Sequence, residues 1–95
     1  MKIEANHMHV FTGREDKLLG ICDVNLDGQF AIRGVRVMDS EKGPFVSLPS
    51  YKDGDGKFHD VAFPVTKEGR EALNKAVLNE YDHHRNKAVE ATADR

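Results

Sequence analysis

Ninety-five residues, 39% of them apolar and 32% charged, suit one soluble domain and exclude a chain too polar to fold. A chain of this length buries only about 60–65% of the surface it exposes when unfolded, so its core is small and a second copy is a natural cover for apolar surface. The net charge of −2 excludes a uniformly basic nucleic-acid binder but leaves room for a basic patch on a balanced body.

The first two-thirds of the chain reads as strands and the last third as helix. Residues 2–12 make a candidate strand of mixed polarity, closed by the polar turn Thr12-Gly13-Arg14-Glu15-Asp16. Leu18 to Leu26 forms a second strand, with Leu18, Gly20, Cys22, Val24 and Leu26 on one face. Cys22, the single cysteine, lies in this apolar run and reads as a core residue. Alone it makes neither an internal disulfide nor a cysteine-based metal site. Asp27-Gly28 follows, and Phe30 to Met38 alternates again. Asp-Gly between two alternating runs signals a tight antiparallel hairpin, because a type I′ turn needs positive φ at both central residues. The alternation changes phase near Gly34, which marks a bulge.

Residues 39–44 form a second polar turn. Residues 45–48 are a short strand stopped by Pro49, 50–57 a loop rich in Gly and Asp, and 58–63 a fifth strand ending at Pro64. From Thr66 the pattern is helical: Leu73, Ala76, Val77 and Tyr81 recur at three- and four-residue spacing and make one apolar stripe. Thr66 suits the cap position, and Glu68 suits the positive end of the helix dipole. Gly69 lowers helix propensity in the first turn. Residues 86–95 have little apolar content and are expected to be a frayed or disordered tail. The expected fold is α+β: a small, mostly antiparallel sheet of about five strands followed by a C-terminal helix, one domain over residues 1–85. The sheet edges carry no obvious block, which favours pairing with a second copy as a homodimer. No apolar stretch approaches the ~20 residues that span a bilayer. The N-terminus lacks the apolar segment of a secretory signal, so the cytoplasm is the expected compartment.

Asp53-Gly54-Asp55-Gly56 looks like the start of a calcium loop. Such a loop needs an oxygen ligand at its fifth position, Gly at its sixth and Glu at its twelfth, where this chain has Lys57, Phe58 and Pro64. It reads as a turn between strands. His83 and His84 are adjacent on a helix, whereas metal ligands on one helical face want a spacing of three or four. His7 and His9 share a strand face, but no second cluster is placed near them. No metal or other cofactor is expected. His59 and Asp60 point to opposite faces of a strand, and no nucleophile elbow, phosphate loop or dinucleotide fingerprint is present. The chain is not expected to be an enzyme. The basic residues are more informative: Lys52 and Lys57 lie on the loop, and Lys67, Arg70 and Lys75 along the helix. A helix N-terminus flanked by Lys and Arg is a phosphate contact. The alternative is a solvated face of mixed charge, since Glu68, Glu71 and Glu80 interleave.

The run Phe45-Val46-Ser47-Leu48-Pro49-Ser50 is followed by Lys52, Asp55-Gly56-Lys57-Phe58, Asp60-Val61-Ala62, Pro64, Arg70-Glu71 and Ala76-Val77-Leu78-Asn79-Glu80-Tyr81. This ordered block resembles the bacterial stage V sporulation protein G family, called SpoVG or septation protein. The layout of the upstream strands matches too, including the turn before Phe30 and the strand Val35-Arg36-Val37-Met38, so the resemblance covers residues 18–81. It implies a small homodimeric α+β regulator tied to septation and sporulation, with DNA or RNA as its ligand. By position, Lys52 matches the second residue of the family's basic loop pair and Arg70 the basic residue at the helix start. Thr66 and Lys67 match the polar segment leading into that helix.

This chain departs from the family pattern in the same region. Tyr51 stands where the first basic loop residue is usual, Asp53-Gly54 replaces Thr-Pro, His59 replaces Arg, and Phe63 replaces His. Asn6-His7-Met8-His9 stands in place of a basic run in the first strand. Fewer positive charges where phosphate is met lower both affinity and its salt dependence. The expectation is a dimeric regulator that binds nucleic acid mainly through phosphates, with Tyr51, Lys52, Lys57, Thr66, Lys67 and Arg70 as the site. Tyr51 is suited to stack on an unpaired base. The alternative, which the low net charge favours, is a protein-interaction adaptor of the division or sporulation machinery with no nucleic-acid role.

Overall fold

The structure, a computed structural model, describes the backbone of residues 1–12 and 16–93, with side chains through residue 85. Strands β1 (Ile3–Val10), β2 (Leu18–Leu26) and β3 (Phe30–Met38) form an antiparallel meander, and β4 (Phe45–Ser47) adds to the far side of β3. Strands β5 (Ser50–Lys52) and β6 (Phe58–Asp60) make a separate antiparallel pair. Helix α1 (Lys67–Ala93) crosses one face of the four-stranded sheet, packing chiefly along β1. The α+β class stands as expected from sequence. Among the described residues six strands replace the expected five, because part of the stretch read as a loop over 50–57 is β5. Gly13, Arg14 and Glu15 of the expected first turn lie outside the described residues. So do the side chains of the expected tail over 86–95.

The Asp-Gly turn has the backbone that its sequence requires. Asp27 and Gly28 take φ of 56° and 70°, and the Leu26 carbonyl accepts from the Gln29 amide at 3.0 Å. Asn25 Oδ1 accepts from the Gly28 amide at 2.6 Å. The turn is also tied to the start of β1. The Asp27 amide donates to the Lys2 carbonyl at 2.7 Å, and the Asp27 carboxylate accepts from the Lys2 amide at 2.5 Å.

Central strand β2 shifts register against both neighbours near Asp23. On the β3 side, Cys22 pairs with Val35 and Val24 with Ile32, so Arg33 and Gly34 together oppose Asp23. Gly34 takes a φ of 76°, a conformation open to glycine; this is the bulge that the phase change signals. On the β1 side, Asn6 pairs with Asp23 and His9 with Ile21, so His7 and Met8 together oppose Cys22. His7 is itself left-handed, at φ 56°, with Nδ1 3.1 Å from Asp23 Oδ2. The extra residue reverses the alternation of β1. Ile3 and Ala5 point to the core before it and Met8 and Val10 after it, leaving His7 and His9 exposed. The mixed polarity of residues 2–12 is the trace of this reversal.

The core forms where the sheet meets the helix. Ala5, Met8, Cys22, Val24, Val35 and Val37 pack against Leu73, Val77 and Tyr81. Those three helical residues are spaced by four, which keeps them on one face of α1; Ala76, the fourth residue of the expected stripe, is half-buried beside them. Val24, Val35, Val37 and Val77 are wholly buried, each worth about 1.5–3 kcal/mol relative to exposure. Cys22 is a buried core residue. Burial, reinforced by the Asp23 and Glu80 carboxylates, pushes its thiol up to about 11. Among the described residues no helix is long and apolar enough to cross a membrane.

Candidate nucleic-acid interface

The stretch read as a loop is an ordered hairpin built by one side chain. The Asp53 amide donates to the Lys57 carbonyl at 2.8 Å, and the Gly56 amide donates to the Asp53 carbonyl at 3.1 Å. Asp53 Oδ1 accepts from the amides of Asp55 and Lys57, both at 2.9 Å. Asp53 Oδ2 lies 2.6 Å from His59 Nε2. The His59 hydrogen bond first, then the Lys57 amide, hold the Asp53 carboxyl below the usual carboxylate range. Carboxylates that accept from amides two and four residues on fold a turn without apolar help.

The register of this hairpin sorts the candidate residues. Ser50 pairs with Asp60, Tyr51 with His59 and Lys52 with Phe58. Tyr51 and His59 stack on one face, ring centroids 5.3 Å apart with 30° between planes. Lys52 and Phe58 share the other, Lys52 Nζ 5.9 Å from the ring centroid. Tyr51 and Lys52, neighbours in sequence, therefore address opposite sides. Among the described residues the hairpin packs on no other strand or helix, so it projects as an arm. The Val61 amide, donating to the Pro49 carbonyl at 2.8 Å, closes its base. Phe58 is 72% exposed and joins the candidate residues, though sequence reading passed over it. Its signal was an aromatic placed between Lys57 and His59 on an otherwise polar segment.

The start of α1 holds the other candidates. Thr66 Oγ1 accepts from the Gly69 amide at 3.0 Å, so Thr66 caps the helix and acts by orienting it. Gly69 suits that cap: a Cβ there would stand 3.0 Å from Thr66 Oγ1 and 3.7 Å from Pro64 Cβ. Exposed Lys67 and Arg70 line one shallow cleft with Val65. Arg70 also lines a larger cleft of about 430 Å3 between β4 and α1, with Phe45, Asn74 and Asp60 on its walls. Asp60 ends the arm, so the arm's root and the helix start meet there. At about 3.3 Å per residue, Lys52 lies ~7 Å further out. The six candidates thus divide into Tyr51, Lys52 and Lys57 on the arm and Thr66, Lys67 and Arg70 at its root.

A family model described as SpoVG matches residues 1–83. A provisionally named septation protein SpoVG of Clostridium perfringens is 37% identical over 76 residues, covering 80% of this chain and 84% of that protein. Its namesake in Symbiobacterium thermophilum is 42% identical over 82 residues, covering 86% of this chain and 58% of that protein. The namesake in Shouchella clausii is 37% identical over 68 residues, covering 72% and 69%. The match runs from β1 through the arm to Tyr81, the last core residue of α1, and the chain belongs to the SpoVG family.

Proposed function

We propose that this protein is a non-catalytic, dimeric cytoplasmic regulator of bacterial septation or sporulation that binds DNA or RNA through the β5–β6 arm and the start of α1. The observation that carries this reading is the projecting arm, which presents Lys52 and Lys57 with two exposed rings and is rooted beside Arg70. Lys52, Lys57, Lys67 and Arg70 meet phosphates, while Tyr51 and Phe58 offer ring faces to unpaired bases. Thr66 holds the helix start in place. Family membership and the septation names of the relatives support the process assigned.

Titration of fluorescent single- and double-stranded oligonucleotides tests this. One protomer's four phosphate contacts predict that affinity falls roughly 50- to 150-fold between about 50 and 200 mM salt, and more steeply where both protomers engage the same strand. Lys52→Ala/Arg70→Ala is expected to bind at least about tenfold more weakly at low salt, with the logarithmic slope shallower by about two. Absence of binding at every salt concentration, or unchanged binding by the double variant, overturns the reading. Asp53, Asp55 and Asp60 interleave with the arm's lysines, and this favours the second reading, a protein-interaction adaptor. A pull-down that recovers protein partners but no nuclease-sensitive material selects it.

A further inference from the structure

We propose that the cleft between β4 and α1 is a pocket for one unpaired guanine base. This deepens the reading above by adding base selection to its phosphate contacts. Arg70, Asn74 and Leu78 recur at four-residue steps, so they run down one side of α1 beside the core stripe. Between that side and β4, the edge strand of the sheet, lies the cleft of about 430 Å3, which Asp60 at the arm's root and Phe63 also line. A cleft of this size takes a small planar ligand. Phe45 and Phe63 on its lining are 47% and 63% exposed, and exposed rings are stacking surfaces for a base.

Three polar side chains converge on this cleft with nothing to engage them. Among the described residues the side chains of Asp60, Arg70 and Asn74 enter no hydrogen bond or ion pair, and Asp60 and Arg70 are not paired with each other. Opposite charges held apart in one cleft disfavour a simple ion, since Asp60 repels an anion and Arg70 a cation. They favour a planar group with a donor edge and an acceptor edge. An ionised carboxylate only accepts, through two oxygens, and two parallel N–H groups meet it best. Guanine alone among the bases carries two adjacent N–H donors on its Watson–Crick edge, the ring N1–H and the N2 amine, and an unpaired base exposes that edge. Adenine and cytosine set one amine beside a ring acceptor. Uracil and thymine set one N–H between two carbonyls. Each of these turns a lone pair toward the carboxylate. The Asn74 amide donates to an acceptor such as O6 or N7 of the same guanine. Arg70 lines both this cleft and the shallow one that it shares with Lys67, so a phosphate held there brings its own base to the pocket.

Titration with defined oligonucleotides tests the pocket. A thymidine oligomer with one central guanine is expected to bind about 5- to 150-fold more tightly than thymidine alone, the range of one bidentate base contact. Inosine at the same place keeps the ring N1–H but lacks the amine, and is expected to lose most of that gain. Asp60→Asn removes a charge that repels phosphate and so strengthens every complex; the readout is the guanine preference, which is expected to vanish. Asn74→Ala is expected to weaken the preference with the salt slope unchanged, and circular dichroism checks that both variants fold. Free guanosine monophosphate separates the pocket from the strand: it is expected to shift the Asn74 side-chain amide signals in NMR, and uridine monophosphate is not. Equal binding of the guanine and thymidine oligomers, or a guanine preference that survives Asp60→Asn, overturns the pocket and leaves the phosphate contacts standing. A response to the free nucleotide without oligonucleotide binding keeps the pocket and overturns the reading above. Silence toward both overturns both.

Discussion

Asp53 holds the arm together, and its replacement isolates that role. Asp53→Ala removes the acceptor for two amides and for His59. The amides of Asp55 and Lys57 are expected to lose their deuterium-exchange protection. The melting temperature of the body should barely move, because the arm packs on no other strand or helix among the described residues. A large fall in that temperature would count against an independent arm. The pH dependence follows from the same carboxylate. Its folded value lies below the ~3.9 of an unfolded Asp, so the arm keeps this contribution above about pH 4 and loses it as pH falls through the folded value. In a two-dimensional NMR titration, the Asp55 and Lys57 amide signals should collapse toward coil positions below about pH 4, and Asp53→Asn should show no such step. Tyr51 and Lys52 were legible as candidates from their place in the family pattern. Their assignment to opposite sides was not, because it depends on the pairing of β5, which has no apolar alternation to reveal it.

Among the elements, β2, β3 and their turn were legible from alternation and from Asp27-Gly28, whose required backbone appears as φ of 56° and 70°. The bulge at Gly34 was legible from the phase change, since glycine announces a left-handed position. The bulge at His7 was not, because a histidine does not. There the positive φ is imposed by tertiary demand: Met8 must reach the core and Asp23 waits at 3.1 Å for the imidazole. This makes a substitution test direct. His7→Gly relieves the backbone but gives up the Asp23 contact, and should fall within about 1 kcal/mol of wild type. His7→Val, β-branched at a left-handed position, should lose about 1–3 kcal/mol. Urea unfolding midpoints measure both; equal losses would mean that the Asp23 contact outweighs the backbone term.

At the scale of the molecule, nine core residues among those described hold the sheet to the helix, and the stripe of α1 that supplies three of them was legible from its spacing. A core this small gives each member leverage. Val77→Ala should cost about 2 kcal/mol and lower the melting temperature by roughly 8–16 °C. A drop smaller than about 4 °C, read by thermal circular dichroism, would show that the helix closes loosely on the sheet at that point. The arm stands outside this accounting. It joins the body through its two strand ends and the hydrogen bond between Val61 and Pro49, so changes at its tip leave Val24, Val35, Val37 and Val77 undisturbed. Four of the positions where this chain departs from the family pattern, Tyr51, Asp53, Gly54 and His59, fall on it. On the proposed function the tip is in effect an exchangeable cassette: it can be rewritten with little expected cost to the core, and a tip transplanted from a relative should carry its donor's binding preference into this scaffold.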